Sequence, residues 1–148
     1  MVSFVGRFPR QLDDRGRFIL PAKMREKLSG TVYITKAPFE NCLNLYTEEE
    51  WEQISEQVRK LPSGNDLNVA KFARRLFSKA NECEIDKQGR VPLTGDLIEE
   101  AGLKKDIMLA GANNKLEIWD AEAWKNKSEE DDRDDILVLG MQQYQVSL

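Results

Sequence analysis

The pattern Asp-x-x-Gly-Arg occurs twice in this chain, at residues 13–17 and at residues 86–90. When the chain is shifted by 73 residues, five of the eighteen positions in 12–29 are identical to those in 85–102, where ordinary composition predicts about one. The same offset aligns Leu43-Asn-Leu-Tyr46 with Leu116-Glu-Ile-Trp119, and Trp51 with Trp124. The chain is therefore predicted to contain two copies of one structural unit.

Each copy has the same predicted order of elements. Apolar and β-branched residues predict a strand on either side of the turn, and the turn glycine can adopt positive φ without steric cost. A short helix, two more strands and a closing helix follow, giving the order β-β-α-β-β-α. Four short strands cannot cover their own apolar faces and edges, so the two copies are expected to pair with each other. The predicted fold class is α+β, with two pseudo-symmetric repeats.

Additional helices are predicted between the repeats. Helical spacing of apolar residues continues from Trp51 to Leu61 and ends at the break Pro62-Ser63-Gly64. A second helix is expected over residues 68–80, with an apolar face that includes Phe72 and Leu76. Its other face is basic and is expected to be a solvated surface; that face consists of Lys71, Arg74, Arg75 and Lys79.

Charge is unevenly distributed along the chain. The formal net charge is −4, yet residues 1–36 contain eight basic and three acidic residues, a local balance of +5. Residues 119–148 reverse this to −5 and include the run Glu129-Glu130-Asp131-Asp132. An asymmetry of this kind indicates a charged partner, and a basic front end favours nucleic acid.

Several functional classes have little support. Histidine is absent, which removes the commonest general base and metal ligand, and no phosphate-binding glycine loop is present. The glutamates at 48–50 and 99–100 are interpreted as solvated helix faces, and Cys42 and Cys83 as buried free thiols. We therefore expect no enzyme activity, metal, cofactor or small-molecule substrate. The absence of a long apolar run or leader favours a cytoplasmic protein without a membrane partner.

The repeated turn has both a structural and a functional interpretation. An Asp at a turn start can bind local amides and pair with an Arg four residues later, which requires no ligand. The first copy also concentrates basic residues, and a projecting basic hairpin fits the major groove of DNA. The predicted DNA-binding residues are Arg15, Arg17, Lys23 and Arg25, with Arg7 and Lys87 as possible secondary contacts. The second copy is less basic and is expected to contribute mainly to the fold.

The motifs together resemble one family. Leu12-Asp-x-x-Gly-Arg-x-x-Leu-Pro-Ala-Lys-x-Arg25, Cys83-Glu-Ile-Asp-Lys-Gln-Gly-Arg90 and Ala73-Arg-Arg-Leu-Phe77 occur in the order typical of the MraZ family, up to about Trp124. That resemblance places the turn motif on Asp13, Gly16, Arg17, Asp86, Gly89 and Arg90. Thr94-Gly95 departs from the first copy's Pro21-Ala22, which weakens the second copy as a DNA contact.

The resemblance also implies an architecture and a function. It implies two SpoVT-AbrB-type repeats at 4–52 and 81–125 in a double-split, swapped-hairpin β-barrel, with connecting helices at 53–80. It further implies a homo-oligomeric ring, associated with the nucleoid, that binds operator DNA. Its action would be largely repression of its own operon and of the division and cell-wall gene cluster.

An AbrB-like antitoxin or another protein-interaction module is the main alternative. Such an antitoxin pairs a DNA-binding turn with a toxin-binding tail, and the acidic residues 126–148 include the apolar patch Ile136-Leu-Val-Leu139. This tail is expected to be solvated and partly mobile, and could screen a neighbour's basic turn. Two full copies in one chain favour the regulator.

Overall fold

A computed structural model describes residues 2–62, 64, 66–133 and 135–148. The first unit consists of β1 (Arg7–Gln11), β2 (Arg17–Ile19), α1 (Ala22–Arg25), β3 (Thr31–Lys36), β4 (Leu43–Thr47) and α2 (Glu48–Arg59). Helix α3 (Leu67–Lys79) leads to the second unit, which consists of β5 (Asn81–Glu84), β6 (Arg90–Pro92), α4 (Gly95–Glu100), β7 (Asp106–Gly111), β8 (Leu116–Asp120) and α5 (Ala121–Arg133). Helix α6 (Ile136–Tyr144) follows. Both units therefore have the predicted order. Ser63 of the predicted break and Asp134 of the predicted tail lie outside the described residues.

Short polar side chains begin the helices. The Thr47 hydroxyl accepts a hydrogen bond from the backbone N–H of Glu50 at 3.1 Å, and the Thr94 hydroxyl accepts one from that of Leu97 at 3.3 Å. The Asp120 carboxylate accepts from the third backbone N–H of α5 at 3.3 Å. These bonds satisfy amides that have no partner inside a helix. Thr47, Thr94 and Asp120, each a residue type favoured at N-caps, thus begin α2, α4 and α5.

The strands of the two units pair with each other. One antiparallel sheet has the order β1-β7-β8-β4-β3-β5, and β2 pairs with β6 in a separate two-stranded ribbon. The 73-residue offset relates β1 to β5, β3 to β7 and β4 to β8. When each strand is replaced by its equivalent, the order of the six-stranded sheet is the same sequence of strands read from the other end. In the ribbon, Phe18 lies opposite Val91, its own equivalent in the second unit. The expectation that the two copies pair is confirmed, and the molecule has a pseudo-twofold axis through both sheets.

The six-stranded sheet separates two layers. Its inner face packs on the ribbon and on helices α1 and α4, and the fully buried residues there include Phe18, Val91, Ile34 and Leu109. Its outer face carries α2 and α5, where Trp51 stacks on Tyr33 with ring centroids 5.3 Å apart. Because side chains alternate between the faces of a strand, the ribbon and the helices α2 and α5 lie on opposite sides of the sheet.

Two helices cross the predicted repeat boundaries. Helix α2 spans the boundary between residues 52 and 53, and α5 spans the boundary between 125 and 126. The predicted tail is helical over much of its described length, because it contains the end of α5 and all of α6. None of the helices in the described ranges combines the length and apolar content that a bilayer span requires. Both cysteines are buried and free, as predicted.

Candidate nucleic-acid interface

The first turn is held by Asp13. Its Oδ1 accepts hydrogen bonds from the backbone N–H groups of Arg15 and Arg17, each at 2.9 Å, and its Oδ2 accepts from Arg17 Nε at 2.7 Å. Gly16 donates to the Asp13 carbonyl at 3.0 Å with φ of +73°, which favours glycine. The Arg17 backbone N–H is the largest cause that lowers the pKa of Asp13; partial desolvation opposes it and the Arg17 guanidinium assists it.

The second turn repeats this geometry. Asp86 accepts from the backbone N–H groups of Gln88 and Arg90, each at 2.9 Å, and from Arg90 Nε at 2.6 Å. Gly89 has φ of +80°, and the Arg90 backbone N–H is the largest cause that lowers the pKa of Asp86. The structural interpretation of the motif is therefore confirmed in both copies. In each turn the arginine uses Nε for the aspartate, which leaves its two terminal nitrogens for other partners.

The ribbon places the two motif arginines on one surface. Phe18 and Val91 point into the core, so the flanking residues of both strands point outward. Arg17 lies opposite Pro92, and Arg90 lies opposite Ile19. Arg17 and Arg90 are thus diagonal neighbours in an antiparallel pair, a spacing of roughly 7–8 Å. Both arginines therefore lie on the outward side of the ribbon, where they can contact one polyanion.

The turns do not project as hairpins. Strand β1 pairs with β7, and β2 pairs with β6, so the strands that flank the first turn belong to different sheets. Each turn is instead supported by the other repeat: Leu93 donates to the Gly16 carbonyl at 3.0 Å, and Leu20 donates to the Gly89 carbonyl at 2.9 Å. The expected projecting hairpin is replaced by a turn held across the pseudo-twofold axis.

This exchange places the basic helix beside the second turn. Arg25 of α1 donates from Nη2 to the Lys87 carbonyl at 2.9 Å, and its side chain covers Gly89. The equivalent residue of the second unit, Ile98 of α4, lies over Gly16. The expected concentration of basic charge around the first turn is therefore not what the structure shows. Arg25 of α1 flanks the second turn, whereas Ile98 of α4, the helix that also carries Asp96, flanks the first.

Strand β1 divides its two arginines between the faces of the sheet. Arg10 pairs in register with core-facing Ile107, and its Nε donates to the Ile19 carbonyl of the ribbon at 2.9 Å. Arg7 pairs with Ala110, which belongs to the cluster on the outer face. Arg7 thus points away from the turns, and Arg10 lies beside them. Alternation with Phe8 in β1 was the sequence feature that could have identified Arg10.

Comparisons with known proteins decide the family. The family model described as "MraZ protein, putative antitoxin-like" matches residues 4–71 and 76–137. The chain is 42% identical over 127 residues to a protein of Lactobacillus gasseri, covering 86% of this chain and 87% of that one. It is 40% identical over 123 residues to a protein of Natranaerobius thermophilus, covering 83% and 85%. Both relatives are named transcriptional regulator MraZ.

The chain belongs to the MraZ family. The two matched segments of the MraZ model each contain one unit with its turn, which agrees with the duplication found from the 73-residue offset. The first segment also extends into α3, and the second extends into α6. Membership of the MraZ family therefore includes the helices on the outer face as well as the ribbon and turns.

Proposed function

We propose that this chain is a sequence-specific DNA-binding transcriptional regulator that contacts its operator with both turns and with α1. Named transcriptional regulators among its relatives support the class of function. The observation that carries the proposal is the position of Arg25 against the second turn, because it brings the basic helix α1 to the turn that carries Arg90. A two-stranded ribbon has the dimensions to enter a major groove about 12 Å wide.

The proposed contacts divide between the two turns and α1. Arg17 and Arg90 present their terminal nitrogens, and Arg15 lies exposed in the first turn. Arginine can bind guanine edges bidentately, whereas lysine acts on phosphate as a point charge. We assign base contacts to the arginines and phosphate contacts to Lys23 and Lys87. Arg7 is a remote candidate because it lies on the other face.

Operator binding by single substitutions tests the proposal. Arg15→Ala removes an exposed cation without disturbing the turn, and we expect it to reduce affinity for operator DNA about 10-fold or more, since a bidentate pair contributes about 1–3 kcal/mol. Lys60→Ala, at the end of α2 on the opposite face, is the matched control and should bind like the parent. Equal binding by all three proteins in fluorescence anisotropy would refute the role of the turn.

Salt dependence distinguishes the regulator from the protein-interaction alternative. The logarithm of affinity for a phosphate-binding protein falls with the logarithm of salt, with a slope of about −0.9 per phosphate contact. Lys23→Ala should make this slope shallower by about 0.9. A slope near zero for the parent would favour an antitoxin-like protein partner instead, a class that the family description includes.

The regulated genes and the assembly are proposed on the family resemblance. We propose that the targets are the chain's own operon and the division and cell-wall gene cluster, and that the protein acts largely as a repressor at the nucleoid. Sequencing of genomic fragments bound by the purified protein tests the targets. We also propose that the cross-paired units form a double-split, swapped-hairpin β-barrel and that several copies assemble into a ring.

The cross-unit pairing supports the proposed barrel. The first strand of each unit pairs with a strand of the other unit, as β1 with β7 and β5 with β3, and the second strands pair only in the ribbon. A fragment of residues 2–80 alone would lack every one of these partners. We expect it to be unfolded or to dimerise, and a stably folded monomer would contradict the proposed exchange.

A further inference from the structure

An apolar groove lies on the outer face of the first repeat. It is a cavity of about 500 Å³ between the β3–β4 sheet, α2 and α3. Its apolar wall includes Tyr46, Trp51, Ile54, Phe72 and Leu76. No residue of α3 is buried, and 53% of the Phe72 surface is exposed although it belongs to the predicted apolar face. The apolar face of α3 is therefore only partly covered by the chain itself.

The groove has a basic rim on α3. Arg75 lines it directly, and Lys71 and Arg74 are exposed on the same helix. Within the described ranges, none of these three residues forms an ion pair with a carboxylate; α3 forms one such pair, between Lys79 and Glu100 at 4.0 Å. An occupant with apolar side chains next to acidic ones would therefore match both parts of this surface.

Helix α6 and the residues before it have that chemistry. None of the residues of α6 is buried, and exposed apolar side chains follow one another at Ile136, Leu137, Val138 and Leu139. The acidic run at residues 129–132 lies directly before them in α5. In the part of the chain that the structure describes, the run forms no ion pair with a basic side chain.

We infer that α6 of one copy packs into the α3 groove of a second copy, with the acidic run facing Lys71, Arg74 and Arg75. Nine helical residues are about 13 Å long, a size suited to a groove beside a thirteen-residue helix. Burial of exposed apolar side chains of α6 drives the contact, and the opposite charges fix its orientation. The groove of the same chain is open, since no α6 residue lines it.

The contact has a direction, which determines the assemblies it allows. Groove and tail are different surfaces, so each copy offers one of each, and such a head-to-tail interface continues until it closes into a ring or grows as a filament. Both surfaces belong to the outer helices, and the turns lie on the opposite side of the sheet. The inference rests on the self-assembly proposed above and assigns its interface, while leaving the DNA surface free.

Complementation between two full-length variants tests the interface. The tail variant Leu137→Asp/Leu139→Asp keeps an intact groove, and the groove variant Phe72→Asp/Arg75→Glu keeps an intact tail. The substituted apolar residues are 65%, 50% and 53% exposed, so the fold should persist, which circular dichroism checks. Val5→Asp, at an apolar residue that is 76% exposed outside both surfaces, is the matched control.

Sedimentation velocity provides the readout. The parent and Val5→Asp should sediment as assemblies of many 17.0 kDa chains, and each double variant alone as a monomer. An equimolar mixture of the two double variants should form a dimer and nothing larger, because one complete interface remains per pair.

Three results would overturn the inference in distinguishable ways. A monomeric parent would remove both the interface and the proposed self-assembly. Parent-sized assemblies from both double variants would refute this interface and keep self-assembly. A mixture that stays monomeric would show that the tail and groove do not meet between copies, and would also overturn the inference.

Discussion

Arg25 of the first repeat donates a hydrogen bond to the carbonyl of Lys87 in the second repeat, at 2.9 Å. A Cβ atom added to Gly89 would lie 2.4 Å from Arg25 Cδ, so the glycine is what allows this approach. At the pseudo-symmetric position, Ile98 of the second repeat covers Gly16. The candidate DNA surface is therefore composite, because neither repeat supplies a turn together with the helix that flanks it.

A double-mutant cycle measures this composite arrangement. Arg25 positions the turn that carries Arg90, so Arg25→Ala and Arg90→Ala should lose operator affinity non-additively, with a coupling of about 0.5–3 kcal/mol. Arg25→Ala and Arg15→Ala lie at opposite ends of the ribbon and should add. Anisotropy titrations of the single and double variants against the parent give both values. Full additivity of the first pair would contradict the shared role of Arg25 and Arg90.

Acid sensitivity should arise in the turns. The lowered pKa of Asp13 and of Asp86 means that each stabilises the fold above the ordinary value of 3.8, and that this contribution is lost as pH falls below it. The chain has no histidine, so its stability should be nearly constant between pH 6 and 8. Thermal unfolding from pH 2 to 8 checks this.

The Asp13→Asn/Asp86→Asn variant separates the turns from other carboxylates. It should be less stable than the parent at pH 7 and should lose less stability on acidification, because the two titrating groups are gone. Glu52→Gln, at an exposed residue of α2 that pairs with Arg59, provides the matched control. If the double variant and the control lost stability equally between pH 5 and 2, the assignment to the turns would be wrong.

Local features of the fold were predictable from the sequence, whereas the pairing of the strands was not. The order of elements, the caps at Thr47 and Thr94 and the aspartate–arginine turn depend on residues a few positions apart, and the duplication is visible as identities at a fixed offset of 73 residues. The strand that pairs with β1 could not be predicted in this way, because every strand edge presents the same backbone N–H and C=O groups. The sequence therefore suggested that each turn joins two paired strands and is flanked by the helix of its own repeat. In the structure, the strands and the flanking helix are paired with the other repeat instead.

The exchange also explains which contacts of the candidate residues could be predicted from the sequence and which could not. Arg17 is the arginine of the Asp-x-x-Gly-Arg motif, so spacing identified it, whereas Arg15 lies at a variable position of the motif and was identified by the basic charge around the turn. Arg10 reaches the ribbon only because β1 lies beside β7, and Arg25 reaches Lys87 only because the repeats interlock. Neither contact can be predicted from the spacing of residues along the chain.

Gly111 should be sensitive to substitution because the backbone passes close to it. A Cβ atom there would lie 2.6 Å from the Phe4 carbonyl carbon and oxygen and from the Val5 nitrogen, which are main-chain atoms that cannot rotate away. The Gly111 N–H also donates to the Gly6 carbonyl at 2.7 Å. We expect Gly111→Ala to destabilise the fold by about 1–3 kcal/mol, the usual range for overpacking. Gly95→Ala, where nothing lies within 4 Å, is the control in thermal or urea unfolding, and an equal loss for both would contradict the close approach.

The two cysteines should be inert in the native protein. Burial raises the pKa of the Cys42 thiol to about 12 and that of Cys83 to about 11, so almost no thiolate exists at neutral pH. Both side chains also pack in apolar clusters, which leaves a reagent no access without opening of the fold. Native protein at pH 7.5, roughly one unit below an ordinary thiol pKa, should react with a disulfide reagent only as fast as it opens. Phe39→Cys introduces a thiol at a side chain that is 95% exposed and should react at once. Labelling of Cys42 or Cys83 at the rate of that added thiol would show that the cluster around it is open in solution.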